Sequence, residues 1–283
     1  MPAPDWTLLL RRPVFEVTVF LVGLLVGSFA NVCIHRLPRG KSIVFPPSSC
    51  PSCDVRIAPR DNVPVVSFLL LRGRCRACGA RISWRYPAVE AANGVLWLAL
   101  AVLRGPHLQT LVALALVTAL LVLSLIDLEH QILPDAITLP GIVVGLAAAF
   151  LPGSRTRPLA ALAAATGGWL FCALLALAWK KLRGIDALGE GDWKMTAMLG
   201  AFFGWERLLL TLLLATASGA GVGILAILLG KGGLKSRLPL GSFLGVAAIV
   251  MVLFGDVVLA GYRVVSLHLA DAILAAYRGL FGG

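Results

Sequence analysis

Charge is scarce in this chain. Lysine, arginine, aspartate and glutamate together make up 14% of its 283 residues, and apolar residues make up 59%. A soluble globular domain is about a quarter charged, so an ordinary soluble fold is excluded. Acids are the scarcer sign: 14 against 25 cations, for a net charge of +11. No run of like charge with interleaved aromatics is present, which argues against a nucleic-acid partner. The excess of cations fits the cytoplasmic loops of a membrane protein instead. Histidine is rarer still. His35, His107, His130 and His268 lie in no H-E-x-x-H and in no recognisable serine or cysteine protease motif, so zincin and triad chemistry lack their residues. A cleavable signal peptide is also missing from the expectation. Met1–Leu10 has no basic start, Val14–Ile34 is too long for a signal core, and no A-x-A site follows.

What is there is apolar sequence in blocks about as long as a bilayer is thick. Mean hydropathy is +0.90. The blocks run over Val14–Ile34, Ala88–Leu103, Leu108–Ile126, Ile137–Leu151, Leu159–Trp179, Trp193–Gly204, Leu208–Leu229 and Leu240–Leu259. They predict an all-α polytopic membrane protein with about eight transmembrane helices. The tail, Tyr262–Gly283, is amphipathic and is expected to lie on the membrane surface. Glycines recur four apart, as Gly23 and Gly27, Gly141 and Gly145, Gly200 and Gly204, Gly219 and Gly223, and Gly241 and Gly245. That spacing lets helix backbones approach closely. Asn31, at the edge of the first block, is expected to hydrogen-bond across helices. Cys33 and Cys172 stand alone in apolar stretches and read as small core residues.

A polar insert interrupts the pattern at Arg36–Pro87. It carries ten cations, two acids and seven prolines, the composition of a small loop-rich subdomain rather than a helix. It also holds C-P-S-C (50–53) and C-R-A-C (75–78), with 21 residues between the pairs. Two thiolate pairs on tight turns close a tetrahedron around a metal, most often zinc. A closed site of Cys50, Cys53, Cys75 and Cys78 leaves no open position, so its role is structural. With this insert on the cytoplasmic side, alternating blocks put 17 cations inside and 8 outside, which favours an N-terminus facing out. Without the insert the count is 7 against 8 and decides nothing.

Two acids end up on that same face. Asp127 closes the third block, where a helix C-terminus disfavours a carboxylate. Asp192 opens the sixth block within G-E-G-D-W-K (189–194). Capping is an alternative role for Asp192, and it is the expected role of Asp135, after Pro134. Two carboxylates sharing a site do not both ionise easily. One then keeps a proton while the other activates water, which is aspartic-protease chemistry. Gly189 and Gly191 are expected to give the turn backbone freedom closed to other residues. Lys194 is expected either to hold a substrate carboxylate, to tune the aspartate, or to snorkel at the edge.

The chain resembles the prepilin peptidases, the type IV prepilin leader peptidases. The likeness runs in order through G-S-F-A-N-V-C-I-H-R-L-P (27–38), the C-x-x-C pairs, I-D-L-E-H-Q-I-L-P-D (126–135), G-E-G-D-W-K (189–194) and L-P-L-G-S-F-L (238–244). The resemblance implies an intramembrane aspartic endopeptidase of the G-x-G-D type with Asp127 and Asp192 as the catalytic pair. It implies type IV prepilins and pseudopilins as substrates, in pilus assembly or type II secretion. Cleavage would follow a glycine at the cytoplasmic face of the bacterial inner membrane. Members with the cysteine loop also methylate the new N-terminus with S-adenosylmethionine, so a second, N-methyltransferase activity is expected. The implied division is a first span (1–35), a cysteine loop subdomain (36–87) and a peptidase bundle (88–283). Leu240 and Ser242 stand where the family commonly has phenylalanine and proline, a departure expected to leave the chemistry untouched. An ion-coupled transporter using the same acids is the rival reading, and it requires acids near the bilayer midplane. A non-catalytic scaffold is a second rival, in which replacing either aspartate changes nothing.

Overall fold

The computed structural model of the chain describes residues 6–184, 188–230 and 239–281, with side chains for 13–184, 188–230 and 239–271. The side chains of Arg11, Arg12, Lys231, Lys235, Arg237 and Arg278, counted above for orientation, lie outside the described residues. So do Leu238 and residues 185–187 of the expected glycine-containing loop.

The fold is helical throughout. The helices are α1 (Trp6–Arg36), the short α2 (Val66–Leu70), α3 (Arg85–Arg104), α4 (Leu108–His130), α5 (Asp135–Ala148), α6 (Pro158–Arg183), α7 (Glu190–Leu228) and α8 (Leu240–Phe281). Among the described residues, six are long and apolar enough to cross a membrane, against the eight blocks expected. Two local features account for the difference. α5 has only 14 residues. α7 joins two expected blocks into one element across Gly204, whose φ of 68° and ψ of −176° break the helix; glycine takes that conformation without a Cβ penalty. The tail also departs from expectation. α8 continues unbroken through Phe281, because no glycine–proline stop or polar cluster separates Leu259 from the residues after it.

α1 packs on α3, α6 on α7, and α8 on both α4 and α7. The recurring glycines sit at these seams. A Cβ on Gly27 would lie 2.8 Å from the Glu90 backbone, and one on Gly145 would lie 2.8 Å from Ala201. Between the helices lies an apolar core that includes Leu120, Leu123, Met195, Met198, Leu199, Leu244 and Met251, all fully buried. Polar groups inside it are paired, as burial requires. Asn93 donates to the Gly23 carbonyl at 2.7 Å, Thr118 donates to Asn93 Oδ1 at 2.8 Å, and Trp97 Nε1 meets the Thr118 hydroxyl at 2.9 Å. This chain of bonds ties α1, α3 and α4. Asn31 donates across helices to the Tyr86 carbonyl at 3.0 Å, as its position predicted. Cys33 and Cys172 are buried.

Candidate functional site: a paired-carboxylate cleft and a four-cysteine cluster

Asp127 lies in the last turn of α4. That helix ends four residues later, where Gln131 turns left-handed (φ 53°) and its N–H returns to the Asp127 carbonyl at 2.8 Å. Asp192 lies in the first turn of α7. Its Oδ2 accepts the Gly189 N–H at 3.2 Å, so it does cap the helix. The cap does not remove it from the cleft. Asp127 and Asp192 line one cavity of about 320 Å³, together with Gln131, Leu133, Asp135, Glu190 and Lys194. Asp127 is buried and Asp192 is half-buried.

Three expectations about neighbouring residues change. Gly189 and Gly191 do not use glycine-only backbone angles; Gly189 is extended at φ −74°, ψ 150°, and Gly191 is helical. Gly191 is needed for close approach, because a Cβ there would stand 2.9 Å from that of Leu133. Asp135 is the first residue of α5, after Pro134, and no side-chain cap bond forms at that end. Its carboxylate instead takes the Lys194 ammonium, at 2.8 Å to each oxygen. Lys194 is therefore not a free edge lysine. It joins α7 to α5 in the cleft wall.

The third change concerns Ser242, which does touch the carboxylate pair. Its N–H donates to Asp127 Oδ2 at 2.6 Å, and its hydroxyl lies 3.1 Å from the same oxygen. Gly241 makes room for this approach, since a Cβ there would be 3.0 Å from Asp127 Cγ. Sequence reading took Gly241 as a packing glycine and Ser242 as a departure that leaves the carboxylates untouched, and the Ser242 contact corrects the second. The available signal was a pair of small residues opening a helix next to a recognised motif.

The cysteine pairs form two matching turns. In the first, Cys50 N–H bonds the Val55 carbonyl and Asp54 N–H the Cys50 carbonyl. In the second, Cys75 N–H bonds Ala80 and Gly79 N–H bonds Cys75. Each turn is closed by one antiparallel bridge, Ser49–Arg56 and Arg74–Arg81. The turns face each other so that all four Sγ atoms lie within 4.8 Å. Cys50 and Cys78 are 3.8 Å apart, close to the ligand–ligand edge of a tetrahedron with metal–sulfur bonds of about 2.3 Å. Backbone N–H groups of Ser52 and Cys53 pull the Cys50 thiol down to about 6, toward the thiolate that binds metal. The four residues therefore fit a metal ion. The loop is anchored to the bundle where Glu90 accepts the Val65 N–H at 2.7 Å, and Arg85, at the start of α3, pairs with Glu129 on α4 at 2.5 Å.

The structure defines a class: a multi-pass helical bundle with two carboxylates, from the ends of α4 and α7, lining one cleft. Comparison with known proteins narrows the class. The model of the bacterial peptidase A24 N-terminal domain matches residues 21–103, and that of the type IV leader peptidase family matches residues 114–224. The chain belongs to the type IV leader peptidase family. It is similar to the prepilin leader peptidase/N-methyltransferase of Pseudomonas putida, 38% identical over 280 residues, covering 90% of this chain and 96% of the relative. The protein of the same name from Myxococcus xanthus (strain DK1622) is 45% identical over 216 residues, covering 76% and 64%. That from Klebsiella pneumoniae is 43% identical over 208 residues, covering 70% and 89%. No solved structure matches the chain.

Proposed function

We propose that this chain is a membrane aspartic endopeptidase that removes the leader of type IV prepilins and pseudopilins and then N-methylates the new terminus. Asp127 and Asp192 form the catalytic pair. The observation that carries this reading is the shared cleft: acids from the end of α4 and the start of α7 line one cavity. In that cleft one carboxylate takes a proton from water as it attacks the scissile carbonyl carbon. The other gives its proton to the carbonyl oxygen, and the tetrahedral adduct collapses with a proton delivered to the leaving amine. No acyl-enzyme forms. Lys194, held by Asp135, ties the start of α7, which carries Asp192, to the start of α5 in the cleft wall. The rival ion-coupled transporter needs acids along a midplane pathway. Here both stand at helix termini.

The expected division into 1–35, 36–87 and 88–283 gives each part a task in this proposal. Cys50, Cys53, Cys75 and Cys78 would hold zinc. When bound, it supplies structural closure to a loop that has little apolar core of its own. Methylation would draw on S-adenosylmethionine, and this part of the reading rests on family resemblance. The cleft and the basic loop face the cytoplasm across the bacterial inner membrane, as the distribution of cations favours.

The test is purified protein in lipid nanodiscs with a synthetic leader-bearing peptide, and products weighed by mass spectrometry. Wild type should give a cut product and a further methyl increment. Asp127→Asn and Asp192→Asn should each abolish the cut while leaving the thermal unfolding midpoint nearly unchanged. Normal processing by either variant refutes the assigned pair.

A further inference from the structure

We infer that Ser242 is a positioning residue for Asp127, holding its Oδ2 as an acceptor so that Oδ1 is the oxygen that exchanges protons with water and substrate. This rests on the reading of Asp127 as catalytic. Two donors converge on Oδ2. The Ser242 N–H, at 2.6 Å, belongs to the backbone of the first turn of α8 and cannot turn away. The hydroxyl has one proton and two acceptors in reach, Asp127 Oδ2 at 3.1 Å and the Ser124 carbonyl at 2.8 Å. A proton placed on Oδ2 would oppose the fixed N–H and turn the hydroxyl away, whereas a proton on Oδ1 leaves both bonds intact. Oδ1 therefore carries the proton whenever Asp127 is the acid of the pair.

The neighbourhood is built for this contact. Gly241 has no side chain where a Cβ would strike both Asp127 and Leu133. Gly245, one turn along α8, gives the same close passage against Ser124. α8 is thus seated on the last turn of α4, and its opening N–H groups lie where helix dipoles favour a carboxylate. The other charged groups lining the cleft come from different elements: Asp135 from α5, and Glu190, Asp192 and Lys194 from α7. Ser242 acts from a further element, α8, on Oδ2. The family resemblance places proline at this position. Proline has no N–H and no hydroxyl and could supply neither of the two donors that Ser242 supplies here.

The test compares wild type, Ser242→Ala, Ser242→Thr and Asp127→Asn as full-length protein in nanodiscs with the leader-bearing peptide. A hydrogen bond to a charged acceptor is worth enough to change a rate by roughly tenfold. Ser242→Ala should lower kcat about tenfold with KM nearly constant, the signature of an interaction that matters to the chemical step. Ser242→Thr, which keeps the hydroxyl, should recover to within about threefold of wild type. Should the alanine variant fail to fold, Ser242→Cys, a weaker donor of similar shape, carries the same expectation. Wild-type kcat in Ser242→Ala, or a threonine variant as slow as the alanine one, overturns the inference. Inactive Asp127→Asn beside fully active Ser242→Ala removes this inference alone. Active Asp127→Asn removes the catalytic reading and this inference with it.

Discussion

At the scale of the residue, the acids divide by what faces them. Asp127 and Asp192 were legible because each breaks an apolar run, and a carboxylate at the edge of hydrocarbon needs a reason to be there. Asp135 was misread. A carboxylate after proline at a helix start looks like a cap, and only the fold shows that the Lys194 ammonium, 59 positions on, takes both its oxygens. The sequence holds no trace of that pairing, because the two residues meet only when α5 and α7 pack. The bridge makes a prediction. Lys194→Met should leave Asp135 as an unpaired third carboxylate beside Asp127 and Asp192, the proposed pair, and kcat/KM should fall about tenfold. Asp135→Asn added to Lys194→Met should restore much of the loss. The pair is partly exposed, so a double-mutant cycle on unfolding stability should report a coupling of only about 1 kcal/mol or less. A double variant as impaired as the lysine single variant would show that the ammonium contacts substrate directly.

At the scale of the element, periodic glycines and apolar block lengths carried the reading far. Each block became helix, and the Gly23–Gly27, Gly141–Gly145 and Gly241–Gly245 pairs all lie against a neighbouring helix. The short blocks Ile137–Leu151 and Trp193–Gly204 became α5 and the part of α7 before Gly204, each 14 residues and about 21 Å long. Neither matches a hydrocarbon core of about 30 Å. The two short helices pack together. The cysteine turns were legible as a candidate metal site from spacing alone, since C-x-x-C fixes each turn. Their mutual facing depends on the 21 residues between them, which no spacing rule specifies. Cys50→Ser should lower metal per chain on elemental analysis and make the 36–87 loop more susceptible to limited proteolysis. Peptide cleavage should fall less than methylation, because the proposed pair, Asp127 and Asp192, stands on α4 and α7 rather than in the loop. Unchanged bound metal would rule out the four-cysteine ligand set.

At the scale of the whole molecule, the two sites share one end. The C-termini of α1 and α4 and the N-termini of α3, α5 and α7 gather there. The Arg85–Glu129 pair links the start of α3, where the cysteine loop ends, to the turn of α4 that carries Asp127. The opposite end is marked by a different charge cluster. Arg155 pairs with Asp256 at 2.6 Å, Arg207 meets the other oxygen of the same carboxylate, and Arg104 donates to the Val252 carbonyl. The orientation count depended on the insert alone, and the fold explains why that was sufficient: the insert and both acids belong to a single end, so whichever face takes the ten cations of the insert takes the chemistry too. An impermeant maleimide tests this on intact cells. Ser154→Cys, between α5 and α6 at the arginine end, should label from outside. Glu190→Cys, in the cleft wall, should label only once the membrane is opened. Labelling of both from outside would break the claim that the ends face opposite sides. The reverse pattern would put the cleft outside, where a leader still held in the cytoplasm could not reach it.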